Sequence, residues 1–309
     1  MEEIQGKILS DIIYKTTIKT GSRICGYYKF KDVFQFLESD TPSNLTNKFM
    51  DIEFNNKYCN PEIYLEKNTS DIAKLRRNKN SHINFLNEIV ALITLSTNQP
   101  CNLIIDEHEI FPSNFMKSDT FTDNSTKFEI RKVPNRISFR QNSTMSFIEI
   151  QDTAFSYFEN YFKLDNNARK AYSTSIVLFN KMRQIMLISS SMSVVGFISC
   201  IENLIAFEDS KSKNKPEKCK TCNALLYSIA KKFKAFMEKY SEFDTENTNK
   251  LLNEFYSRRS TITHTGNLFY MDRVLTDFPM LEYRKEFLEI ESHVRIALYN
   301  YLLNYDFGP

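Results

Sequence analysis

The chain of 309 residues contains no Trp, only six Gly and only four His. Glycine this sparse argues against Gly-rich phosphate-binding loops, and neither GxGxxG nor a GKS/GKT P-loop occurs. GxSxG and HExxH are missing as well, which removes the signatures of serine hydrolases and zinc proteases. Six scattered Cys do not make the dense framework of a disulfide-stapled secreted domain. No uninterrupted apolar run reaches the roughly 18–20 residues that span a bilayer. The longest candidate, residues 185–207, is interrupted by several Ser, Asn203 and Glu202. The start, Met1-Glu2-Glu3-Ile4, is acidic and lacks the basic-then-apolar pattern of a signal peptide. These absences predict a cytoplasmic protein with no membrane association and no cofactor.

What is present is core material. Apolar residues make up 42% of the chain and charged residues 25%, with 26 Phe and 16 Tyr, as in an ordinary soluble protein. The length suggests two domains. The net charge of +2 is nearly balanced, so any site for a polyanion has to be a local patch.

The texture of the sequence changes near residue 150. Before it, residues 24–30 and 101–106 lean towards strand, and residues 33–37 either extend the first run or begin a short helix. Residues 128–133 and 136–140 alternate around Pro134-Asn135, which predicts a hairpin. Residues 85–93 carry helical periodicity, and the polar clusters at 40–48 and 113–126 are expected loops. After it, apolar residues recur at three and four. One set is Phe155, Phe158, Tyr161 and Phe162; the next is Ala171, Ile176, Phe179, Met182 and Met186. Val194, Phe197, Ile198, Ile201, Leu204 and Ile205 follow, then Leu226, Ile229, Phe233, Phe236 and Met237. A helix over 283–305 closes the chain. The predicted fold is α+β overall: a mixed, strand-containing domain over 1–148, then an all-α helical bundle over 149–309.

The stretch Tyr256-Ser257-Arg258-Arg259-Ser260-Thr261-Ile262-Thr263-His264-Thr265-Gly266 concentrates chemistry. Arg is a permanent planar clamp for phosphate, and His exchanges protons near neutral pH. Five residues turn an ideal helix by about 500°, leaving Arg259 and His264 some 140° apart around the axis. They meet at one point only if the helix bends or ends between them, and the β-branched Thr261-Ile262-Thr263 makes an end there plausible. Ser260 and His264, four apart, share a face.

This R-x4-H pattern near the end of a helical bundle resembles the signature of the HEPN superfamily (higher eukaryotes and prokaryotes nucleotide-binding). The wording from Leu252 through Tyr256, Arg259-Ser260 and His264 to Gly266 looks most like its Apea-like branch. The earlier Ile201-Glu202-Asn203-Leu204, the Cys219-x2-Cys222 pair and residues 229–236 are similar to what precedes the motif there. The resemblance covers about residues 150–305 and implies metal-independent RNA cleavage by a homodimer whose paired motif helices form one cleft. By the same resemblance His264 would take or relay the proton of the RNA 2′-OH, and Arg259 would stabilise charge on the phosphoryl oxygens. Ser260 would donate a hydrogen bond or orient His264, and Glu202 would orient Arg259. Ser260 departs from the Asn, Asp or His that many nuclease members carry after the Arg. Family analogy extends to stress, toxin or phage-defence effectors restrained by a regulatory protein partner. The alternative is a non-catalytic module that binds nucleotides or partners and dimerises.

Other features have two readings each. Arg258 is a phosphate contact or a solvated charge. From 209 to 234 there are eight Lys against one Asp and one Glu, so Lys231, Lys232 and Lys234 belong to a patch that collects phosphates or simply solvates a helix face. Cys219 and Cys222 have the spacing of half a zinc site without a second pair, and a structural thiol pair is the plainer reading. Asp106-Glu107-His108-Glu109 is a charged turn, because side chains of an extended run alternate sides. His82 and His293 are isolated and read as structural or surface residues rather than catalytic ones.

Overall fold

The computed structural model describes residues 12–43, 48–64, 81–104, 115–134, 147–186, 188–211, 229–241, 248–273 and 281–307. The architecture is mixed α+β, with an antiparallel six-stranded sheet followed by helices. Packing divides the chain into two units, Met1–Lys170 and Ala171–Pro309.

The first unit is built on β1 (Ile13–Thr20), β2 (Tyr27–Phe30), β3 (Phe34–Glu38), β4 (Lys48–Asn55), β5 (Cys101–Leu103) and β6 (Met116–Ser118). The sheet order is β2-β3-β4-β1-β5, with β6 also on β1. β1 pairs with β4 along its whole length, from Ile13↔Asn55 to Thr20↔Lys48. On its other edge it takes β5 at Ile18–Thr20 and β6 at Ile13–Lys15 in succession. Strand period two then sorts the side chains by face. Ile18, Phe34, Phe36, Met50, Ile52 and Phe54 are buried. They form the apolar core with α1 (Ser81–Thr97) and α2 (Ala154–Lys163). Phe158 of α2 meets Phe34 edge to face at 5.1 Å. The alternate positions are mostly polar, with Ile13, Leu37 and Phe49 among them. Lys15 pairs with Asp51 at 3.2 Å, and Glu53 accepts from Gln35 Nε2 at 2.7 Å and from the Thr122 amide at 2.8 Å.

Glu88 of α1 is the most deeply buried charge among the described residues of this unit, 1% exposed. It accepts from Arg169 Nη2 at 2.9 Å and from the hydroxyls of Tyr64 and Tyr161. Three charge-assisted donors on one carboxylate meet the requirement that a buried charge be paired.

Several expectations change here. Of the two readings of residues 33–37 the strand holds, as β3 over Phe34–Glu38, whereas Lys48 opens a full strand rather than ending a loop, and residues 116–118 pair with β1. β7 (Lys132–Val133) pairs in parallel with β8 (Ile150–Gln151), while residues 136–140, the expected hairpin partner, lie outside the described residues. In α2 the buried side is Ala154, Tyr157, Phe158 and Tyr161, so Phe155 is 48% exposed and the face is rotated from the one read in the sequence.

In the second unit, α3 (Asn166–Ile185, starting in the first) precedes α4 (Ser190–Lys211), α5 (Ile229–Tyr240), α6 (Thr248–Thr265) and α7 (Leu281–Leu303). α4 packs against α5, α6 and α7. Its Val194, Phe197, Ile198, Ile201 and Leu204 are fully buried, as the periodicity predicts. α4 is long and apolar enough to cross a membrane by length and composition, with mean hydropathy 1.5 over its most apolar window, against the expectation that no run qualifies. That window is 61% buried inside the structure, as suits a core helix.

Candidate functional site at the end of α6

The site starts from how α4 is held. Ser175 Oγ of α3 donates to the Cys200 carbonyl at 2.8 Å, and Asn203 Nδ2 donates to the Ala171 carbonyl at 2.9 Å. Ser193 Oγ donates to the Met182 carbonyl at 3.0 Å. These bonds fix both the rotation and the rise of α4 against α3. Glu202 is therefore locked between the fully buried Ile201 and the anchored Asn203.

α6 is an amphipathic helix whose Leu252, Phe255 and Ile262 are buried and which packs on α4 and α5. That docking brings Tyr256 and Arg259 to Glu202. Arg259 Nη2 donates to Glu202 Oε2 at 3.0 Å, and the Tyr256 hydroxyl donates to Oε1 at 3.1 Å. The Arg259 guanidinium lies 5.9 Å from the Tyr256 ring centre. The Tyr256 ring meets Phe233 of α5 at 5.5 Å. Burial, and then the Glu202 charge, hold the Tyr256 hydroxyl above its ordinary pKa, so it remains a donor at neutral pH. Side-chain exposure is 24% for Arg259 and 16% for Glu202. The pair is sheltered enough to hold its geometry and open enough to be reached. Arg259 Nε is buried with no hydrogen-bond partner among the described residues, an unpaired donor that calls for an explanation.

The expected break between Arg259 and His264 does not occur: α6 runs on to Thr265. Thr263 Oγ1 donates to the Arg259 carbonyl at 2.9 Å and Thr265 Oγ1 to the Thr261 carbonyl at 2.6 Å, the back-bonding open to Thr within a helix. The helix stops at Gly266, whose φ of 65° is left-handed and whose amide donates to the Ile262 carbonyl at 3.1 Å, a glycine C-cap. His264 therefore sits in the last turn, exposed, on the solvent side of α6. Arg259 is turned towards Glu202, about 140° away around the axis. Within one chain the two side chains share a helix end but do not converge. Ser260, half-buried, is four residues before His264 on the arc between them.

Arg258 belongs elsewhere. It lines a cavity of about 470 Å³ with Glu254, Ser257, Thr261, Ile262, Asn267, Leu268, Phe269 and Arg273. Lys231 and Lys232 are exposed on α5, Lys234 is half-buried, and Lys232 Nζ is held by Asp209 at 2.6 Å. Cys219, Cys222 and His108 lie outside the described residues. His82 stacks on Tyr14 at 4.8 Å, and His293 is buried with Nδ1 2.9 Å from Ser241 Oγ; both are structural. Arg273 and Asn267 were missed in the sequence, since they follow the helix. The stripe Glu254, Ser257, Arg258, Thr261 at three- and four-residue spacing was the legible signal.

Compared with known proteins, the chain matches no family model, no curated protein and no solved structure.

Proposed function

We propose that the chain is a metal-independent endoribonuclease of HEPN type, acting as a homodimer. The observation that carries this reading is the Glu202–Arg259 pair at the end of α6, with Tyr256 on the same carboxylate and an exposed His264 in the last turn. RNA brings its own nucleophile, so the protein has to supply a proton acceptor and a charge clamp. His264 takes the 2′-OH proton, the 2′-oxygen bonds to the adjacent phosphorus, and the bond to the 5′-oxygen breaks. The departing oxygen collects a proton from His264 or water, leaving a 2′,3′-cyclic phosphate. Arg259 has five N–H donors, of which Glu202 engages one and the buried Nε holds another; the remaining three can reach the phosphoryl oxygens, with Ser260 adding a hydroxyl. The angular gap between Arg259 and His264 is closed by pairing two α6 helices, so that residues of both copies serve one cleft. A role as a stress, toxin or phage-defence effector under a protein regulator belongs to the same proposal.

The same gap favours a second reading, a non-catalytic dimerising module that captures nucleotides or a partner. Product analysis separates the two. Cleaved RNA ending in a 2′,3′-cyclic phosphate, lost in Arg259→Ala, supports the nuclease; a purified chain that binds RNA and leaves every strand intact supports the module.

A further inference from the structure

The cavity behind Arg258 is unused by this chemistry, yet it is built. Its wall is anchored: the Phe269 amide donates to Ser191 Oγ at 2.8 Å. Asp272 accepts from the Ser190 and Ser191 amides at 2.9 and 2.7 Å, at the start of α4. Phe269 also packs edge to face on Phe287 at 4.8 Å. The segment after α6 is thus held at both Phe269 and Asp272, which gives the open pocket it borders a fixed wall.

The lining is chemically specific. Two guanidiniums, Arg258 and Arg273, stand against one carboxylate, Glu254. The net single positive charge matches the single negative charge of a phosphodiester better than the several charges of a nucleoside triphosphate. Arg258 lies over the Phe269 ring at 5.6 Å, and an Arg plane is one of the surfaces on which unpaired RNA bases stack. Asn267 offers both a donor and an acceptor, and Glu254 an acceptor, which suits the reading of a base edge. About 470 Å³ lies within the range of small-molecule sites and holds one nucleotide, not a duplex. The cavity also neighbours the proposed chemistry: Thr261 in its wall is three residues, about one turn, before His264.

We infer that this cavity seats one unpaired nucleotide of the RNA beside the cleaved bond, with its base on Arg258 and its phosphodiester on Arg273. The inference rests on RNA being the substrate. It makes Asn267 and Glu254 determinants of which base is taken and makes single-stranded RNA the preferred form.

The test uses the full chain carrying His264→Ala, which keeps the RNA whole, with fluorescence anisotropy of labelled hexaribonucleotides of each base and of an RNA duplex. Arg273→Gln is expected to weaken single-strand binding about tenfold or more. Asn267→Ala is expected to flatten the preference among the four bases. Arg273 and Asn267 are exposed, so an unchanged melting temperature is the control for folding. Unaltered affinity and preference in both variants, or duplex bound as tightly as single strand, overturns the inference. If the unsubstituted chain still cleaves RNA in that case, the cavity proposal falls alone. If the parent neither binds nor cleaves RNA, both proposals fall.

Discussion

Removing the Glu202 carboxylate while keeping its shape, as in Glu202→Gln, tests whether the Arg259 position is held by charge. Glu202 accepts two hydrogen bonds, at 3.0 and 3.1 Å. Hydrogen bonds to a charged group contribute about 1.5–3 kcal/mol each when well sheltered. The pair is partly open to water, with 24% and 16% of the side chains exposed, which pulls its value towards that of surface pairs, about 0.2–1 kcal/mol. A double-mutant cycle of Glu202→Gln with Arg259→Gln should therefore give a coupling of about 1–2 kcal/mol. Each single variant should lose about as much stability, because each leaves one sheltered charge behind. The assay is urea unfolding followed by helical circular dichroism for the parent, both single variants and the double variant. A coupling below about 0.3 kcal/mol, the noise expected for independent sites, would refute the argument that this carboxylate fixes the guanidinium.

Three further outcomes follow from other parts of the chain. Glu88→Ala strips Arg169, Tyr64 and Tyr161 of their shared acceptor and should destabilise the first unit by about 3–5 kcal/mol in the same unfolding assay, as breaking a buried pair does. Burial holds the His293 imidazole down to about 4, from an ordinary 6.5. The unfolded chain thus takes up a proton that the folded chain refuses, so stability is full above pH 6.5 and is lost as pH falls towards 4. The loss amounts to about 3 kcal/mol at 1.36 kcal/mol per pH unit. His293→Asn should flatten that limb of a stability-against-pH curve measured by thermal melting. Gly26 has φ of 95°, and a Cβ there would stand 2.3 Å from the Phe128 carbonyl oxygen. Gly26→Ala should cost more than about 2 kcal/mol by denaturant titration, strain and overlap adding.

Several helices were legible because apolar residues recur at three and four along them. Val194, Phe197, Ile198, Ile201 and Leu204 announce α4 and are all fully buried. The two longest strands went unread for the opposite reason. β1 and β4 carry Lys15, Asp51 and Glu53 within their cores. A sequence alone does not reveal that these charges pair across the sheet or that Thr122 covers Glu53. Alternation was present, but its polar half was charged rather than merely polar. At the candidate site the stretch 256–266 and Glu202 were both legible. The course of the helix was not: propensity argued for an end within Thr261-Ile262-Thr263, whereas the hydroxyls of Thr263 and Thr265 bond back into the helix and the real stop is Gly266. The cavity depends on the anchoring of residues 269–272 to the start of α4, a long-range contact without local signature.

The most direct test of the central claim is incubation of a mixed single-stranded RNA pool in excess EDTA with the unsubstituted chain and, in parallel, with His264→Ala. The account predicts cleavage by the first and a loss of at least a hundredfold in the second, the usual contribution of a positioned acid–base group. Equal cleavage by both, or intact RNA with both, would contradict it.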